Sequence, residues 1–173
     1  MSDPAAALVR VVVTDANILI NLTHIGRLDL LGKLPPYSFV APGEVVQEVK
    51  EPAQVEAIQT AISSGLLQVV QLTDPSELRV YAELIQFLGV GEAACLALAQ
   101  CRSWLIASDE RRKFYRETIA RLGTGRLLNT AGILIHAIQL SVITIEEADY
   151  AKALLEQRKF VLKFASFRDA LPK

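Results

Sequence analysis

Between Val9 and Leu22 the pattern of the chain changes twice. Val9 to Val13 is a short apolar run, rich in β-branched residues and broken only by Arg10. Such a run predicts a strand buried on both faces. Thr14, Asp15, Ala16 and Asn17 interrupt it, and Ile18 to Leu22 follows at once. Oxygen-bearing side chains before an apolar segment predict a helix start. An acid, Asp15, is thereby set at the carboxyl end of a buried parallel strand, the edge where open α/β sheets bind ligands.

The same reading extends along the chain. Ile18 to Leu34 has helical spacing, with Gly26 and Gly32 as breaks and Pro35-Pro36 as a stop. Tyr37 to Ala41 is a second strand, and Pro42 suits the first turn of a helix carrying Val45, Val46 and Val49. Pro52 marks a break, Val55 to Ile62 is helical up to Gly65, and Leu66 to Leu72 is a third strand. Asp74-Pro75-Ser76-Glu77 begins a helix that runs to Leu88. Gly89 and Gly91 form a turn, and Glu92 opens an Ala-rich helix, Ala93 to Gln100. Trp104 to Ala107 is a strand that ends in Ser108-Asp109-Glu110. A basic helix, Arg111 to Leu122, precedes a short fifth strand at Gly125 to Asn129. Gly132 to Leu140 and Ile145 to Gln157 are helical, and Val161 to Ala165 is a last extended piece. Alternating strands and helices predict an α/β fold: a central, mostly parallel sheet of about five strands, flanked by helices. No repeat, low-complexity tract or linker divides residues 1–173, so a single domain is expected.

Composition narrows the class. The chain is 51 % hydrophobic, enough for a substantial core and against global disorder. No apolar run approaches the ~18 residues of a membrane span, and Met1 to Leu8 lacks the basic start and apolar core of a signal peptide. Cys95 and Cys101 fall in one predicted helix, six residues apart, so they cannot pair there. Two buried thiols in a reducing cytoplasm is the expectation. His24 and His136 lie in separate apolar helical contexts and read as filler. The net charge of −1 is unevenly spread. Residues 1–110 hold 6 Lys and Arg against 13 Asp and Glu, and residues 111–173 hold 12 against 6. An acidic part beside a basic part suits a cation site next to a phosphate-binding surface.

Four acids occupy comparable places. Asp15 and Asp109 each close a buried strand, Glu48 lies on the helix after the second strand, and Glu92 starts the Gly-Val-Gly-Glu helix. Right-handed crossovers put the strand ends on one edge of the sheet. Carboxylates brought close raise one another's pKa, and a hard divalent cation removes that penalty. With no His or Cys among them, the ligands favour Mg²⁺ or Mn²⁺ over Zn²⁺. The plainer reading of Asp15 is a helix cap, a task Asn17 could take instead. Glu44, one turn before Glu48, competes for the second position.

These motifs, in this order and spacing, resemble the PIN-domain ribonuclease family, its VapC-like subgroup especially. VVVTDANILINL is similar to the opening motif, with Asp15 as the first acid and Asn17 as its polar neighbour. FVAPGEVVQEV resembles the second motif and matches Glu48, GEAACLALA the third and matches Glu92, LIASDE the fourth and matches Asp109. LLNTAGILIHAIQLSVIT resembles the family's strand-to-helix turn, with Thr130 and Gly132 in corresponding places. The departures are Glu110 where the family often has a second Asp, and Asn129 rather than Gly before Thr130.

The resemblance implies a PIN-like three-layer sandwich. It also implies a metal-dependent ribonuclease in which Asp15, Glu48, Glu92 and Asp109 hold one or two Mg²⁺ or Mn²⁺ ions. Asn17 and Thr130 would orient a carboxylate or a water, and hydrolysis would leave a 5′-phosphate and a 3′-hydroxyl. Arg111, Arg112, Lys113 and Arg116 would meet the RNA backbone. A toxin's antitoxin partner, a homodimer and a cytoplasmic setting follow from the same resemblance. Two other readings remain at this stage. A haloacid-dehalogenase-type phosphatase also places an acid after a buried strand, but it wants Asp-x-Asp where this chain has Asn17. A PIN-like fold without turnover would serve as a nucleic-acid- or protein-binding module.

Overall fold

A computed structural model describes residues 8–172 of the protein. Residues 1–7, on which the expectation about a signal peptide falls, lie outside the described part. The first apolar run forms strand β1 (Arg10–Thr14), and helix α1 (Ala16–His24) begins two residues later. β2 (Tyr37–Pro42) leads directly into α2 (Gly43–Glu48), and α3 (Pro52–Ser63) into β3 (Gln68–Val70). α4 (Pro75–Leu84) and α5 (Val90–Arg102) precede β4 (Leu105–Ala107). α6 (Lys113–Leu122), β5 (Leu127–Leu128), α7 (Thr130–Gln139), α8 (Ile145–Gln157) and α9 (Phe167–Ala170) complete the order. The sheet runs β3-β2-β1-β4-β5, and every pairing is parallel.

β1 is the centre of this sheet because its side chains can be buried on both faces. Val12, Val13 and Thr14 are wholly enclosed. Val12 lies between Phe39 and Leu105, and Val13 between Val40 and Ile106. From β1 the chain builds outward through β2 to β3, then returns to place β4 on the other side of β1. With right-handed crossovers, that reversal puts α5 on the opposite face from α1. α5 packs on β1, β2 and β4 and is backed by α4 and α6, while α1 packs with α3, α7 and α8. Helix, sheet and helix thus form the three layers. The order reverses between β1 and β4, and at such a switch point the loops diverge and open a crevice.

α5 is buried nearly all round, from Ala93 to Ala99. Its four alanines in that stretch let it sit close on the strands. Its far end is pinned by an ion pair to α4. The Glu77 side chain, 3 % exposed, takes the Arg102 guanidinium on Oε1 and the backbone N–H groups of Thr73 and Asp74 on Oε2. Arg102 also donates to the Gln71 carbonyl at 3.0 Å and lies over the Trp104 ring. This guanidinium holds the Glu77 carboxyl down at about 2, against the opposing effect of burial.

Some expectations are corrected. Val161 to Ala165 is not a strand; it bends into α9, a short helix capped by Ser166 that the periodicity did not reveal. The fifth strand shrinks to two residues. Only Cys95 is buried; Cys101 is exposed, because the last turn of α5 projects beyond the layer that covers it. Among the described residues no helix is long and apolar enough to cross a membrane.

Two outcomes follow. A thiol reagent should titrate Cys101 promptly in the unreduced native protein and Cys95 only after unfolding; finding neither would mean a disulfide. Because the folded pKa of Glu77 lies below its unfolded value, the ion pair's stabilisation is present above pH ~4.5 and is lost as pH falls towards ~2. Glu77→Gln should cost about 2–3 kcal/mol at neutral pH in denaturant titration and should flatten the acid limb of the stability profile.

Candidate active site

Asp15 sits at the end of β1 with extended backbone and caps α1. Its Oδ1 accepts from the Ala16 N–H at 2.8 Å, and its Oδ2 accepts from Asn17 Nδ2 and from the Ser108 hydroxyl, both at 3.0 Å. The side chain is 3 % exposed, yet none of these donors is charged. Burial therefore pushes its pKa up to about 6, resisted by the Ala16 and Ser108 bonds and reinforced by the charges of Glu48 and Glu92. The helix cap is Asp15 itself, not Asn17. Asn17 does something else: its amide donates to Asp15 and its carbonyl accepts from the Asp109 N–H at 3.2 Å. It ties the end of β1 to the end of β4.

Glu48 closes α2 and reaches the start of α5, where its Oε1 accepts from the Gly91 N–H at 2.8 Å. A Cβ at Gly91 would lie 2.6 Å from that oxygen, so the approach requires glycine. Glu92 turns back on its own helix start and accepts from the Gly89 N–H at 2.9 Å. Glu44 points its Oε2 into the same side of the molecule, where that oxygen is buried without a partner. Beneath them lies Cys95, wholly buried. Its thiol is pushed well up by burial first and then by Asp15, Glu48, Glu44 and Glu92.

Asp109 follows β4 and is held by α7 and α1. Thr130, the first residue of α7, donates its N–H to Oδ1 at 3.0 Å and its hydroxyl to Oδ2. Asn21 of α1 donates to Oδ2 at 2.9 Å. Burial raises this carboxyl too, opposed by the Thr130 and Asn21 bonds and by the charge of Arg111.

The acids thus form two groups. Asp15, Glu48 and Glu92 feel one another's charge, and Asp109 joins Asp15 through Asn17 and Ser108. The tight four-carboxylate cluster expected from the sequence is not formed: among the described residues no three acid, His or Cys side chains gather closely enough to enclose an ion. The physical reason is that Glu48, Glu92 and Asp109 each spend oxygens on backbone or hydroxyl donors. The donor set nevertheless fits a hard divalent cation. It is all oxygen, it carries buried negative charge with no cationic partner at Asp15, and rotating Glu48 or Glu92 away from its backbone donor frees a ligand.

Of the four expected cations, Arg111 alone lines the cavity beside Asp109. Lys113 lies over the Phe87 ring at 4.7 Å. Arg112 precedes α6 and Arg116 lies on it, both exposed. Sequence reasoning missed Ser108 and Asn21. A signal for Asn21 was present: it follows Asn17 by one helical turn, so the two polar groups share a face of an otherwise apolar helix.

The PIN-domain family profile matches residues 11–173, nearly the whole chain. The chain belongs to the PIN-domain family. One solved structure agrees with that fold. PAE2754 from Pyrobaculum aerophilum is similar over 81 % of this chain and 95 % of its own, at 15 % identity and a TM-score of 0.50. VapBC2 from Rickettsia felis, crystallised bound to a DNA fragment from its promoter, matches at 17 % identity and a TM-score of 0.49. That match covers 69 % of this chain and 98 % of that one. Curated protein sequences gave no significant match. In this PIN domain the crevice between β1 and β4 is where Asp15 and Asp109 stand.

The raised Asp15 pKa has a thermodynamic consequence. The folded state holds this proton more tightly than the unfolded state, so its contribution to stability is present below pH ~4 and is lost as pH rises through ~6. In chelator, wild type should lose on the order of 2–3 kcal/mol relative to Asp15→Asn between those limits. Urea unfolding midpoints across pH 4 to 7 measure it. Parallel profiles for the two proteins would show that Asp15 is ionised without penalty.

Proposed function

We propose that the protein is a Mg²⁺- or Mn²⁺-dependent endoribonuclease that hydrolyses RNA phosphodiester bonds. The observation that carries this reading is the buried Asp15 carboxylate, which has hydrogen bonds but no countercharge and faces Glu48 and Glu92. Such an arrangement is costly unless a cation completes it. Asp15, Glu48, Glu92 and Asp109 would hold the ion. When bound, Mg²⁺ or Mn²⁺ supplies polarisation of the scissile phosphate and a lowered pKa for the attacking water.

The chain's own residues do the positioning. Asn17 and Ser108 fix the Asp15 carboxylate, and Thr130 with Asn21 fixes Asp109. Partners of this kind set ligand orientation as firmly as the ligands themselves. Gly91 admits Glu48 to the start of α5, where the positive end of the helix favours an anion. Arg111, which lines the cavity beside Asp109, would meet a phosphate there. Hydrolysis adds water across the P–O3′ bond and leaves a 5′-phosphate and a 3′-hydroxyl. An antitoxin partner and a homodimeric, cytoplasmic protein belong to the same proposal, resting on the sequence's likeness to VapC-type toxins.

The test pairs wild type with Asp15→Asn. Wild type should cleave single-stranded RNA only with Mg²⁺ or Mn²⁺, and the variant should be slower by at least a hundredfold while remaining folded. Mn²⁺ should raise the melting temperature of wild type by mass action and move the variant much less. Equal cleavage by the two proteins, or cleavage that survives chelator, would overturn the mechanism. RNA binding with metal stabilisation but no turnover would assign the fold to a binding module instead.

A further inference from the structure

A cavity of about 480 Å³ opens directly beside Asp109, and the acid site does not use most of it. Its volume falls within the range of small-molecule sites. One wall is Asp109 and Glu110 at the end of β4. The floor is apolar, with Leu127 of β5 and the buried Leu162. Tyr115 of α6, 43 % exposed, and Phe164 supply its aromatic lining. Arg111 and Lys163 are both exposed and bring two cations to its rim.

An exposed tyrosine beside an apolar floor is unexplained by the packing of α6, which buries Phe114 and Thr118 on its inner face. Apolar floor, aromatic side wall and cationic rim together match one chemical object: a flat heteroaromatic ring attached to an anion. We propose that this cavity holds one unpaired nucleobase of the RNA, adjacent to the phosphate that is cut. This rests on the nuclease reading above and deepens it by assigning a subsite. The base stacks on Tyr115 against Leu127 and Leu162. Its phosphate meets Arg111 and Lys163 at the rim, and the next phosphate along the strand lies towards the cation that Asp109 would hold. Stacking on an aromatic ring tolerates any base, because every base has a π face. A duplex cannot present its bases this way, so the cavity selects single-stranded RNA.

The probe is a hexaribonucleotide carrying 2-aminopurine, whose fluorescence falls on stacking, titrated into the full chain in chelator so that no strand is cut. Wild type and Tyr115→Phe should bind with fluorescence quenching. Tyr115→Ala should bind between about five- and a hundredfold more weakly, the range of one lost stack, with quenching lost and its circular dichroism unchanged. Lys163→Gln should keep the quenching and reduce the salt dependence by about one phosphate contact. Tyr115→Ala matching wild type in affinity and quenching would overturn the subsite, and would mean that something other than a base, such as a peptide segment, occupies the cavity. The two readings fail separately. RNA cleaved normally by a protein whose Tyr115→Ala variant still quenches removes only the base pocket. Wild type that neither binds nor cuts RNA removes both.

Discussion

A carboxylate enclosed by protein, without a cation to meet it, governs this molecule's active edge. Asp15 stands at the tip of the central strand, and three hydrogen-bond donors limit the cost of its charge. The first N–H of α1, the Ser108 hydroxyl and the Asn17 amide supply partial positive charge. None neutralises it, and the charges of Glu48 and Glu92 push the Asp15 carboxyl further up. The fold tolerates this because β1 and α5 are so well packed elsewhere. Local instability at a site, offset by a firm scaffold, is a common arrangement where a ligand completes the structure.

Strand order explains how the acids come together from distant parts of the chain. Placing β4 next to β1 brings residue 109 beside residue 15, and Asn17 joins them. Placing α5 across β1, β2 and β4 lays its first turn against the end of α2. The two groups of acids thus arise from separate contacts, one through the sheet and one through a helix start. The Glu77–Arg102 pair anchors α5 at its other end, so the position of Gly91 is controlled by an interaction far from the acids.

Much of this was legible in the sequence because it depends on local signals. Asp15 and Asp109 are readable as acids that end buried strands, and Glu92 as an acid that starts a helix. The order of strands and helices follows from alternating periods, and the layers follow from the handedness of the crossovers. What escaped depends on tertiary partners. Ser108 matters only because β4 pairs with β1 in a particular register. The contact of Lys113 with the Phe87 ring joins residues far apart in the chain and has no local signal. The place of Asn17 beside Asp15 is a local property, whereas its bridge to the Asp109 N–H depends on β4. The turn into α9 has almost no periodic signal, since Phe167 is buried by packing and Ser166 is held by Asp149.

The clamp on Asp109 has a consequence for how the protein is made. Its carboxylate is gripped by Thr130, which the ribosome adds well after Asp15, Glu48, Glu92 and Asp109 itself. β4 also needs β1 already in place, and Thr130 needs the turn after β5. A nascent chain that has passed all four acids therefore still lacks the clamp on Asp109. Under the nuclease reading proposed above, the emerging polypeptide completes its site only once α7 has begun to form.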